Sequence, residues 1–183
     1  MLGRHIFIVP GYRPSRTPEL WKYADAVSQS INKEYPDLVI FSGGESQRAT
    51  NPGVTEAGLL WEMVRSKLLH HPHILLETEA LTSLDNIINV APMIRQWVPT
   101  EGVAESIVTI SCEWNRRWKM YFLAWLALPE YRGRIKVVPV RWEKGLLPCL
   151  KQAVSTFGEL VAFFWPWLAE RGRESRRRCA QRT

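Results

Sequence analysis

Five short apolar runs alternate with stretches of helical periodicity, and that alternation leaves the chain few architectures. The runs are residues 5–9 (HIFIV), 38–41 (LVIF), 74–76 (ILL), 106–110 (SIVTI) and 135–140 (IKVVPV). Runs this short, closed by turn residues, read as strands buried on both faces. Between the first two, Thr17-Pro18-Glu19 is a helix start: a hydroxyl cap, a proline at the first position and an acid at the positive end of the dipole. Leu20, Ala24, Val27 and Ile31 then recur at helical spacing. Similar stripes follow each later run, and Pro92 should kink or shorten the third helix. The order βαβαβαβαβα predicts a Rossmann-like α/β/α fold in three layers, with a mainly parallel five-stranded sheet.

Such sheets bind ligands at the carboxyl ends of their strands. The candidate residues therefore lie at five joints: 11–16, 42–56, 77–86, 111–116 and 141–144. Gly11 ends the first strand. Ser42-Gly43-Gly44 ends the second, and a polar loop then leads to Glu56. Glycine lacks a Cβ, so backbone N–H groups at Gly43 and Gly44 can approach an anion, with Arg48 closing over it. The same glycines also suit a plain turn. The loop is too long for a Walker A motif and lacks its Lys-Ser/Thr pair, which excludes a P-loop.

Glu77 ends the third strand, where an α/β site presents a carboxylate for a ribose hydroxyl, a Mg²⁺ ion or a proton. Asp85 reads either as a reciprocal cap with Thr82 or as a site residue, whereas Asn86 has no such local partner. Arg116 opens the fourth helix, where a cation is unfavourable unless an anion answers it; Glu113, Glu77 or a ligand phosphate are the candidates. Arg117 and Lys119 read as solvated. Acids (Glu56, Glu77, Asp85, Glu113) mixed with arginines (Arg13, Arg48, Arg116) suit a phosphorylated ligand, with or without a divalent cation such as Mg²⁺.

Four of these motifs, in order, resemble the DUF218 or YdcF-like family, which includes the SanA and ElyC envelope proteins. They are IFIVPG at residues 6–11, Ser42-Gly43-Gly44 with Glu56-Ala57, the stretch 77–86 (ETEALTSLDN), and 108–116 (VTISCEWNR). Here Ala80 and Ser83 stand where the family has serine and threonine. Asp85 replaces its glutamate, and Glu113 its histidine. The resemblance implies a Rossmann-like fold with a nucleotide- or adenosyl-type ligand. The ligand-contact candidates at these joints are Gly11, Ser42, Gly43, Gly44, Arg48, Glu56, Ser83, Asn86, Ser111 and Arg116. Glu77, Asp85 and Glu113 are the catalytic candidates for a reaction at a phosphoester or glycosyl-phosphate linkage.

Charge is concentrated at one end. The net charge is +6, and the last thirteen residues alone carry six arginines and one acid. The expected organisation is one domain over 1–168 and a basic, mobile tail over 169–183. A near-neutral domain with a basic tail makes nucleic acid an unlikely partner. The preceding VAFFWPWL invites two readings: aromatics packed on the sheet, or an interfacial element on anionic lipid. The second makes the chain a non-catalytic envelope-associated module. Three separated cysteines, no cleavable leader and no run of about 18 apolar residues predict a cytoplasmic setting, or one peripheral to the inner membrane.

Overall fold

The computed structural model describes residues 3–12, 16–49, 51–140 and 156–181. Arg13, the 141–144 joint and the expected helical stretch up to residue 155 lie outside them. The strands are β1 (His5–Pro10), β2 (Leu38–Ser42), β3 (His73–Glu77), β4 (Ile107–Glu113) and β5 (Ile135–Val140). They form one five-stranded sheet in the order β3-β2-β1-β4-β5, with every adjacent pair parallel. The expected Rossmann-like α/β fold is thus present.

Alternation along the strands divides the core. Ile6, Ile8, Leu38, Ile40, Val108 and Ile110 face one helical layer. Phe7, Val9, Val39 and Phe41 face the other. The second layer contains α1 (Pro18–Glu34) and α2 (Glu56–Arg65). The first contains α3 (Ser83–Ile88), α4 (Val90–Trp97), α5 (Arg117–Ala127) and α6 (156–164), with the start of α7 (Pro166–Ala180) packed beside them.

Local chemistry sets the helix ends. Thr17 accepts from the N–H of Leu20 and Thr55 from that of Gly58. Thr82 and Asp85 form the reciprocal cap of α3. The stripe containing Pro92 is divided at Asn89 into α3 and α4, which leaves the proline in the first turn of α4.

Two expectations change. β4 runs three residues beyond residue 110, so Cys112 and Glu113 belong to the strand. The basic stretch expected to be a mobile tail is helical from Pro166 to Ala180. The helical stretch breaks at Trp165, and Pro166, at a position that favours proline, begins the new helix. Tertiary contacts hold it: Arg173 pairs with Asp85 at 2.9 Å, and the Ala180 carbonyl accepts from the N–H of Ala49 at 2.9 Å.

Candidate active site at the carboxyl edge of the sheet

β2 lies on one side of β1 and β4 on the other, so chain connectivity reverses between β1 and β4. Open α/β sheets bind ligands at such a reversal. Gly11 follows β1 there, and Ser111, Glu113 and Arg116 stand on or just beyond the end of β4.

The β2–α2 joint is closed. The N–H of Gly43 donates to Glu77 O at 2.9 Å, that of Gly44 to Ala80 O at 2.7 Å, and that of Gly11 to Ser42 O at 2.5 Å. These are the N–H groups an anion would have needed, so the expected phosphate cradle at Gly43 and Gly44 does not form. The glycines serve close packing instead. A Cβ on Gly11 would meet a Glu56 carboxylate oxygen at 2.3 Å, and one on Gly43 would meet Glu56 Cβ at 2.8 Å. Gly43 also has a φ of 153°. Glu56 is folded down onto this corner and bonded to the Ser46 hydroxyl. Burial pushes its carboxyl above the ordinary range, while Ser46 and Arg116 oppose the shift.

Glu77 is a loop anchor. Its Oε1 accepts from the N–H groups of Glu79 and Ala80 and from Asn89 Nδ2, at 2.8–3.0 Å. Its Oε2 accepts from Ser42 Oγ at 2.5 Å, and Asn86 Oδ1 lies 2.9 Å from the same hydroxyl. With the Asn86 amide turned so that Nδ2 faces Ser42, donation runs from Asn86 to Ser42 and from Ser42 to Glu77. Asp85 is equally committed. Oδ2 accepts from the N–H groups of Leu81 and Thr82, and Oδ1 from Arg173 Nε. The base or metal-ligand roles expected of these two carboxylates find no unengaged oxygen. Among the described residues no three His, Cys, Asp or Glu converge on a metal position. Glu77 and Asp85 therefore offer no free oxygen to a Mg²⁺ ion.

Arg48 is not brought into the cluster. It is exposed and pairs with Glu45 at 3.5 Å.

The β4–α5 joint differs. Arg116 Nη1 donates to Glu113 at 2.9 Å and Nη2 to Ser83 Oγ at 2.6 Å. Burial opposes the Arg116 charge, but the Glu113 carboxylate outweighs it and holds the guanidinium firmly protonated. Among the described residues, three buried polar atoms in this stretch have no hydrogen-bond partner: Ser111 Oγ, Asn115 Oδ1 and Arg116 Nε. Native interiors leave few such atoms, and each one calls for a cause. Tyr23, from α1, completes the floor, with its hydroxyl donating to Pro10 O at 2.9 Å. Burial, then Glu113 and Cys112, raise its pKa well above that of an ordinary phenol. Burial likewise pushes the Cys112 thiol up to about 12, which removes it as a nucleophile near neutral pH.

α3 links the joints. Ser83 holds Arg116, while Asn86 meets Ser42 beside Glu77. Glu77 and Arg116 therefore share one rim, joined through one helix. α7 reaches this rim as well: Arg173 binds Asp85, and Arg176 acts electrostatically on Glu56. A half-open cavity of about 430 Å³ lies beside the first turns of α2, lined by Arg16, Asn51, Val54, Gly58 and Glu62. Its lining comes partly from the 11–16 and 42–56 joints but includes none of the side chains singled out there, such as Gly43, Gly44, Arg48 or Glu56.

Several participants escaped sequence reasoning. Tyr23 lies within the first helix outside the stripe Leu20, Ala24, Val27 and Ile31 and carries no motif. Arg173 was one arginine among six. Lys119, read as solvated, is buried and pairs with Glu159 at 3.1 Å. Asn115 sat within a recognised motif and was passed over.

The chain was compared with family models, curated proteins and solved structures, and it matches none of them.

Proposed function

We propose that the protein binds a small phosphorylated or nucleotide-type molecule at the β4–α5 joint, over the point where strand order reverses. One observation carries this reading. A hydroxyl, an amide oxygen and a guanidinium N–H, all buried within residues 111–116, lack partners among the described residues. Two donors and an acceptor beside a fixed positive charge suit a phosphate or a ribose bearing one. Arg116 supplies the charge, with Glu113 and Ser83 holding its plane in position. Ser111 and Asn115 supply directional contacts.

The reading concerns binding first. A reaction at a phosphoester or glycosyl-phosphate linkage would need a base, and Glu113 is already committed to Arg116.

The test is a thermal-shift and calorimetric series with ADP, a uridine diphosphate sugar and S-adenosylmethionine, each with and without Mg²⁺. At least one should raise the melting temperature through mass action. Ser111→Ala should weaken that ligand with the fold intact. Arg116→Lys keeps the charge but deletes Nε, and it should weaken the ligand too. If no compound moves the melting temperature, the proposal is discarded.

A further inference from the structure

The helical layer that contains α5 leaves an unusual number of large rings in water. Trp114, Trp118, Phe122 and Trp125 recur every three or four residues, so they share one side of the helix and its leading turn. All four are exposed, Trp118 by 61%. A second group surrounds the junction of α6 with α7: Phe157 (72%), Phe164 (64%), Trp165 (54%) and Trp167 (56%). Of the aromatics expected to pack on the sheet, Phe163 joins the core, whereas Phe164, Trp165 and Trp167 are exposed. Both groups belong to one layer. Lys119 of α5 pairs with Glu159 of α6, and Ala162, Phe163 and Leu168 join the same core as Met120, Leu123 and Ala124.

The rings carry cations. Arg117 lies over Trp114 and Trp118 at 4.4 and 5.4 Å, Arg132 over Trp125 at 3.8 Å, and Arg171 over Trp167 at 5.7 Å. α7 then presents Arg176, Arg177 and Arg178 along an exposed stretch. Its two acids, Glu170 and Glu174, are already answered by arginines of the same helix.

We propose that this layer is an interfacial surface that rests on an anionic lipid leaflet. The proposal does not depend on the ligand site. Tryptophan and phenylalanine settle at headgroup depth, where a ring is half wet, and guanidinium groups beside them meet lipid phosphates. The same interleaving disfavours other occupants. A protein interface would have to desolvate the guanidinium groups that lie over Trp114, Trp118, Trp125 and Trp167, whereas interface cores are depleted of charge. Stacking of nucleic-acid bases would have to compete with Arg117, Arg132 and Arg171 for the faces of Trp114, Trp118, Trp125 and Trp167. Among the described residues no helix is long and apolar enough to cross a membrane, so the contact envisaged lies on the leaflet.

The full chain should co-sediment with vesicles containing phosphatidylglycerol and stay in solution with pure phosphatidylcholine. Brominated acyl chains should quench its tryptophan emission. Trp118→Ala combined with Phe122→Ala, and separately Trp165→Ala combined with Trp167→Ala, should each lower partitioning by about tenfold with unchanged circular dichroism. Failure to sediment with anionic vesicles at low salt overturns the proposal. So does equal sedimentation of the ring variants, which would mean that the arginines adsorb alone. A salt-resistant dimer lost in those variants, or single-stranded oligonucleotide binding lost in them, would assign the surface to a second copy or to nucleic acid and would also overturn it.

Discussion

The β2–α2 and β4–α5 joints are built from similar parts and end in opposite conditions. Both follow a buried parallel strand, carry a buried serine and place a carboxylate near α3. At the first, Ser42, Glu77, Asn86 and the N–H groups of Gly43 and Gly44 all have partners. At the second, Ser111 Oγ, Asn115 Oδ1 and Arg116 Nε have none among the described residues. The glycine-rich joint, which looks more like a phosphate loop in one dimension, is the one that is structurally complete. Close approach of backbones and the shape of an anion site require the same residue, so glycine alone does not distinguish them. Unmet hydrogen-bonding capacity does.

The sharpest way to break this contrast is at the charge. Arg116→Ala leaves Glu113 in a largely buried position without its cation and should cost about 3–5 kcal/mol. The double variant Glu113→Ala with Arg116→Ala should recover part of that loss in urea denaturation. No recovery would mean that the two side chains are not energetically coupled.

Next comes Gly43→Ala. The added methyl would meet Glu56 and force a residue with a side chain into a φ of 153°, at a cost of about 2–4 kcal/mol. A loss below about 0.5 kcal/mol would show that the corner is looser than its contacts indicate.

The serines allow a matched pair of measurements. Ser42→Ala removes a partner from Glu77 and Asn86 and should cost about 1–3 kcal/mol. Ser111→Ala removes a hydroxyl with no partner and should change stability by less than about 0.5 kcal/mol. Equal losses at both positions would erase the distinction between the joints.

pH offers a finer probe. The folded chain holds a proton on Glu56 that the unfolded chain releases near the ordinary value of 4.5. Stability should therefore fall as pH rises from that value through the raised folded one, and then level off. Glu56→Gln should flatten this part of a melting-temperature profile and be the more stable protein at pH 7. An unchanged profile would place the Glu56 carboxyl in contact with water. The smallest expected effect is at Cys112. With its thiol pushed up to about 12 by burial, it should resist iodoacetamide at pH 8 for as long as the protein stays folded, as peptide mass spectrometry would show.

Much of the fold was legible beforehand because its signals are local. A short apolar run reports a strand buried on both faces, and Thr17-Pro18-Glu19 or Thr82 with Asp85 reports a helix start within four residues. The placement of Glu113 and Arg116 together was also readable, since they are three residues apart at a strand end. Partners far apart in sequence left no such trace. Nothing near Asp85 announces Arg173, and nothing near Lys119 announces Glu159. A basic run reads as a solvated tail until an acid on another element is seen to meet it.

Sequence alone determined the elements, their order and the edge on which charged residues would gather, because strand periodicity and helix caps act over a few residues. Tertiary structure decided which of those residues stand committed and which are left open. It closed Gly43 and Gly44 beneath Glu56, tied Glu77 and Asp85 into loop and cap, and left Ser111, Asn115 and Arg116 incompletely bonded. The physical reason is that a hydrogen-bonding group's availability depends on every neighbour that reaches it, and most of those neighbours arrive from distant parts of the chain.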